Sequence, residues 1–167
     1  QETRTVNDDS CVRIDHSSYA ARPAPIGSVV LVRLFKTRLE IRDLRSGALI
    51  RIHTRADRPG TVVLPMEERI FNPSRETHRI LAQAKAIGVV THKLCLTLFE
   101  REGRVGQRKL WGIVGLAKRS PKRLIEMACE RAMSEGMYSY THVKTLTEQL
   151  VSEALRLLDE PLAAQQR

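Results

Sequence analysis

The hydrophobic period of this chain changes once along its length, and that change limits what it can fold into. Ahead of Arg58-Pro59-Gly60 the apolar residues alternate or come in short runs: Cys11-Val12-Arg13-Ile14, Ser18-Tyr19-Ala20, Val29-Val30-Leu31-Val32, Arg38 to Arg42 and Ala48 to His53. Each run is short and closed by a turn signal such as Arg45-Ser46-Gly47, the pattern of β-strands with one wet face. Beyond Pro65 the apolar positions recur at about 3.6 residues, the helical period. The switch predicts an α+β chain: a small antiparallel β-barrel followed by an all-α domain of about five helices. Closure is expected because about five strands this short cannot bury two faces as an open sheet.

Within this frame residues 1–9 read as a flexible polar lead-in, 10–64 as the barrel, 65–160 as the helical domain and 161–167 as a frayed tail. Asn72-Pro73 and Ser120-Pro121 each pair a capping side chain with a proline suited to a first helical turn. The stripes are Ile80, Leu81, Ala84 and Ile87; then Leu94, Cys95, Leu98 and Phe99; then Leu124, Ile125, Ala128, Cys129, Ala132 and Met133. A third helix spans about Gln107 to Arg119, and the last starts near Ser139–Thr141 with Val143, Leu146, Leu150, Ala154 and Leu157 on one face.

Catalytic constellations are hard to assemble from this sequence. No Gly-x-x-x-x-Gly-Lys-[Ser/Thr] occurs, and Gly112 and Gly115 beside Trp111 read as close helix-packing positions. His16, His53, His78, His92 and His142 lack metal-site spacing. Asp15, Asp43 and Asp57 fall at strand ends or turns, where Asp serves turn geometry, and Asp8 and Asp9 lie in the lead-in. Cys11, Cys95 and Cys129 are far apart and read as free thiols in a reducing compartment. The expectation is therefore no catalytic residue, no metal and no cofactor. No apolar run nears the ~18–20 residues of a membrane span, so a cytoplasmic protein without membrane contact is expected. The opening Gln1-Glu2-Thr3, without methionine, suggests a piece of a longer protein.

Charge points toward a partner. The net charge is +9 and the pI about 10.0. From Cys11 to Gly60 ten basic residues face four acidic ones, and Thr91 to Ile125 is more one-sided, whereas acids lead from Glu126 onward. Arg33, Lys36, Arg38 and Arg42 cluster around one strand turn. Arg108, Lys109, Lys118, Arg119, Lys122 and Arg123 flank the third and fourth helices. Such clusters displace counterions from phosphates, and a helix start adds free amides. Aromatics are only 4% of the chain, so contact with a double-stranded DNA backbone is expected over base stacking.

The helical series Gln107-Arg108-Lys109-Leu110-Trp111-Gly112 to Arg119, Arg123-Leu124-Ile125-Glu126-Met127-Ala128-Cys129-Glu130-Arg131-Ala132 and Gly136-Met137-Tyr138-Ser139-Tyr140-Thr141-His142-Val143-Lys144 resembles the C-terminal region of IstA-type transposases. These are bacterial insertion-sequence enzymes that work with an AAA+ helper ATPase. Tyr19 to Pro23 and the strand pair Leu39 to His53 are similar to theirs as well. The likeness covers roughly Cys11 to Leu146. Ser120-Pro121 departs from the usual Tyr-Gly, and the pattern fades after Leu146. The resemblance implies a non-catalytic module of a metal-dependent DDE-type transposase whose RNase H-like domain lies outside this chain. It implies contacts to transposon-end DNA, to other transposase subunits and to the helper ATPase. An alternative from a different class is a protein-interaction module, in which Leu146, Leu150 and Leu157 dock a partner and the charge is incidental. A third is an independent hydrolase, which a single Mg²⁺-dependent nick would reveal.

Overall fold

The computed structural model describes residues 1–160, so the expected tail 161–167 lies outside the described residues. The chain is α+β and divides into two compact units. Gln1–Ser74 and Glu102–Val105 form the first, and Arg75–Arg101 with the chain from Gly106 onward forms the second. The boundary therefore falls some ten residues later than the change of period at Pro65, and a short loop from the helical half belongs to the strand half.

The first unit contains β1 (Glu2–Thr5), β2 (Cys11–Ile14), β3 (Ser17–Ala20), β4 (Val29–Leu34), β5 (Arg38–Asp43), β6 (Leu49–Thr54) and β7 (Val62–Val63). They do not close into a barrel. One antiparallel sheet has the order β1-β4-β5-β6, and a separate sheet has the order β2-β3-β7, with β7 parallel to β3. β3 has β2 and β7 on its two edges, and no strand pairing among the described residues joins this sheet to the first. Asp15 and His16 take left-handed backbone angles (φ 49° and 66°), and this tight turn pairs β2 with β3. Apolar burial is met without closure: Val12, Ile14 and Tyr19 of one sheet share a core with Val30, Val32, Leu39 and Ile41 of the other.

The lead-in is structured too. β1 pairs along β4 in the register Glu2↔Val32 to Thr5↔Val29. Glu2-Thr3-Arg4-Thr5 holds no apolar residue, so its strand character has no hydrophobic signature and comes from backbone pairing. Val6 then enters the core at 1% exposure, and its amide donates to the Ser28 carbonyl at 2.9 Å. The loop Glu102–Val105 is held by Arg104, which donates from its amide to Ile70 O, from Nε to Asn72 O and from Nη1 to Asp8 O, at 2.8 to 2.9 Å. Val105 packs with Cys11, Ala20 and Leu64.

The second unit holds α1 (Arg75–Ile87), α2 (Val89–Glu102), α3 (Gln107–Gly115), α4 (Lys122–Ser134) and α5 (Tyr140–Asp159). In place of about five comparable helices there are four of 13 to 20 residues, and α3 is a nine-residue segment followed by a 3-10 turn at Leu116–Lys118. The stripes converge on one core that includes Ile80, Leu94, Leu110, Ile113, Ile125 and Val143, each fully buried. Helix starts follow local chemistry less closely. α1 begins at Arg75, beyond Asn72-Pro73. At α4 the cap position is Pro121 rather than Ser120, and no side chain caps it. α5 has a side-chain cap, the Ser139 hydroxyl accepting from the His142 amide at 3.4 Å. The start of α2 is served across the core: the Glu126 carboxylate accepts from the amides of Val90 and Thr91 at 3.2 and 2.9 Å. Gly88 makes this possible, since a β-carbon there would sit on that carboxylate.

Candidate nucleic-acid interface

The two basic clusters expected from the sequence differ in how much of their charge is free. In the strand unit, Arg38, Glu40 and Arg42 alternate along β5 and share one face, as the period of two requires. Glu40, overlooked in reading the basic residues alone, is only 7% exposed and gathers both arginines. Arg42 donates to it from Nε and Nη2 at 2.9 and 2.6 Å and spends Nη1 on the Gly47 carbonyl at 2.8 Å. Arg38 lies 3.7 Å from Glu40 and stacks its guanidinium 4.1 Å from the Phe35 ring. Arg33 is half-buried on β4, and Lys36 is exposed in the β4–β5 turn. This cluster is partly neutralised within the unit.

In the helical unit Lys118, Arg119, Lys122 and Arg123 are all exposed, and among the described residues none forms an ion pair. They bracket the turn between α3 and α4. The amides of Leu124 and Ile125 turn back to the Pro121 carbonyl, and no side chain occupies the helix start. Four cations thus surround the positive end of a helix. The arrangement is electrostatically unfavourable for the helix itself and favourable for a phosphate. Arg108 and Lys109, on the first turn of α3, are exposed but already engaged by other groups.

Beside this corner a cleft of about 340 Å³ opens between α3, the turn and α5, with Trp111 and Tyr140 in its wall and Lys118, Arg119 and Lys144 at its rim. Its aromatic character was not legible in the sequence, where Trp111 and Tyr140 stand 29 positions apart. The spacing Tyr140, Lys144, Thr147 and Glu148, one face of a helix, is the signal that could have grouped its α5 side.

The expected partner-docking stripe splits. Leu146 and Leu150 are buried in the helical core at 6% and 9% exposure, so neither is available to a partner. Leu157 is exposed, together with Leu155 and Leu158. The stripe continues past the end of the unit's core, where these three leucines are 52 to 78% exposed.

Other titratable groups have structural work. Asp43 is held below the usual carboxylate range by the amide and hydroxyl of Ser46, with the Arg45 amide adding to them, which makes it the anchor of the β5–β6 turn. Burial pushes the thiols of Cys11 and Cys95 up to about 12 and that of Cys129 up to about 11, so none is a ready nucleophile. Among the described residues no group of three or more His, Cys, Asp or Glu is arranged to hold a metal ion, and no helix is long and apolar enough to cross a membrane. No protein-family model, curated protein or solved structure matches the chain.

Proposed function

We propose that this chain is the non-catalytic C-terminal module of an IstA-type DNA transposase, contacting transposon-end DNA and supporting transposase assembly during DNA transposition and integration. The observation that carries the reading is the set of four exposed cations at the α3–α4 turn, Lys118, Arg119, Lys122 and Arg123, which form no ion pair among the described residues and stand around an uncapped helix start. Such a surface is suited to the duplex backbone, where each neutralised phosphate adds about 0.9 to the slope of log Kobs against log salt. The setting is the cytoplasm, and the metal-dependent chemistry belongs to an RNase H-like domain of the parent protein.

The test is duplex binding across a salt series, with transposon-end and scrambled sequences side by side. Replacing the four cations by alanine is expected to lower the salt slope by about 3–4 and to weaken binding to both sequences. Binding that is absent at low salt, or indifferent to salt, would refute the reading. A Mg²⁺-dependent nick made by this chain alone would refute its non-catalytic part.

Exposed Leu155, Leu157 and Leu158 favour a second reading, in which the end of α5 docks another transposase subunit or the AAA+ helper ATPase without DNA contact. On that reading serine at these three positions abolishes capture of the purified partner, and the chain binds no duplex. The reverse pattern would return the weight to DNA.

A further inference from the structure

We infer that the cleft between α3 and α5 is a binding site for a nucleoside phosphate, with the base against Trp111 and Tyr140 and the phosphate on Lys118, Arg119 and Lys144. The inference deepens the proposed function, on which it rests: next to the surface suited to duplex backbone, and sharing Lys118 and Arg119 with it, there is a pocket for one unpaired nucleotide.

The chain has one Trp and three Tyr, and two of these four residues line this cleft. Trp111 is fixed there, its Nε1 donating to the Glu76 carboxylate at 3.0 Å. The Tyr140 ring lies against the backbone of Gly112, so close that a β-carbon at Gly112 would stand 2.6 Å from two ring carbons. Both rings remain partly exposed. Lys118, Arg119 and Lys144 are exposed and form no ion pair among the described residues, and Glu148 is the one carboxylate in the lining. The Arg79 guanidinium lies 6.0 Å from the Trp111 ring centroid; aromatic side chains beside unspent cations are the chemistry by which single-stranded nucleic acid is held. About 340 Å³ lies at the lower end of the range of small-ligand sites, roughly 300–1,000 Å³, which suits one nucleotide rather than a longer segment.

Gly115 supplies the means to test it. Its backbone is right-handed helical, φ −64° and ψ −21°, and a β-carbon there would meet nothing within 4 Å. Gly115→Leu therefore fills the cleft without a backbone penalty, and Gly115 lies outside the duplex-contacting set. Trp111, the sole tryptophan, reports occupancy by its fluorescence. The probes are a short 5′-phosphorylated thymidine oligonucleotide, thymidine monophosphate, thymidine and inorganic phosphate.

Saturable quenching by the oligonucleotide or the monophosphate is expected, with thymidine and inorganic phosphate at least about tenfold weaker, since stacking and charge each contribute. Equal affinity for monophosphate and oligonucleotide would identify a free nucleotide as the ligand. Tighter oligonucleotide binding would identify a strand end. Gly115→Leu and Lys144→Ala should each weaken the quench about tenfold or more, with unchanged helical circular dichroism and unchanged duplex binding. Duplex binding without nucleotide quenching would overturn the cleft and leave the proposed function standing. Nucleotide quenching without duplex binding would do the opposite. Quenching that survives in Gly115→Leu, or that inorganic phosphate reproduces, would also overturn the inference.

Discussion

Two glycines three positions apart on the short helix α3 should respond to alanine with opposite sign. At Gly112 an added methyl would stand 2.6 Å from Cδ1 and Cε1 of Tyr140 and 3.0 Å from Cγ. Carbon atoms rest at about 3.5–4.0 Å, so the ring must retreat by roughly 1 Å or turn. Overpacking of this kind costs about 1–3 kcal/mol. The helix regains up to about 1 kcal/mol from replacing glycine by alanine. Gly112→Ala should therefore destabilise the helical unit by up to about 2 kcal/mol. Gly115→Ala meets no atom within 4 Å and keeps a helical φ of −64°, so only the backbone gain of up to about 1 kcal/mol applies. Because both gain the same backbone term, the two variants should differ by the overpacking cost alone, about 1–3 kcal/mol. The assay is urea unfolding followed by Trp111 fluorescence and by helical circular dichroism. With a slope of about 1–3 kcal/mol per molar, the midpoints should separate by roughly 1 M. Variants within about 0.5 kcal/mol of each other, or Gly112→Ala the more stable, would refute the seating of Tyr140 on α3.

Leu150→Ala should cost the helical unit about 2–5 kcal/mol, whereas Leu157→Ala should stay within about 0.5 kcal/mol; equal effects in thermal unfolding would contradict the split of the α5 stripe. Glu126→Ala removes the acceptor for the Val90 and Thr91 amides and should cost about 1–2 kcal/mol, read as a lowered urea midpoint, and an unchanged midpoint would count against this cross-core cap. His53 is buried, its Nε2 donating to the Ala20 carbonyl at 2.7 Å, and burial lowers its pKa below the ordinary 6.5. The unfolded chain then binds this proton more readily than the folded one. The stability that His53 contributes is full above about pH 6.5 and is lost as pH falls below it toward the lowered folded value. His53→Gln should flatten that part of the melting-temperature profile of the strand unit, and superimposable profiles would exclude the effect.

What could be read from the sequence was whatever leaves a periodic trace. The change of period marks the two secondary-structure classes, because side chains alternate along a strand and return every 3.6 residues or so on a helix. The stripes Ile80, Leu94, Ile125 and Val143 name the helical core correctly, since burial selects their spacing directly. The burial of Cys95 and Cys129 follows in the same way, since both lie on helical stripes. Polar β1 was invisible, because its pairing with β4 uses backbone groups that every residue carries. Closure of the strands could not be decided either: period two states which face is buried, not which strand edges meet, and here β3 has β2 and β7 on its two edges.

The candidate site divides along the same line. Sequence by itself placed the cations near the α3–α4 turn and on β5, since charge is a property of each residue. Only the tertiary structure decided which of them are free: Glu40 gathers Arg38 and Arg42, while Lys118, Arg119, Lys122 and Arg123 meet no carboxylate among the described residues. Only the tertiary structure put Trp111 and Tyr140 in the lining of one cleft, and turned Leu146 and Leu150 into core while leaving Leu157 exposed. The reason is common to all three. A side chain's type is local, but its partner is chosen by packing between helices and strands distant in sequence, and no spacing along the chain encodes that distance.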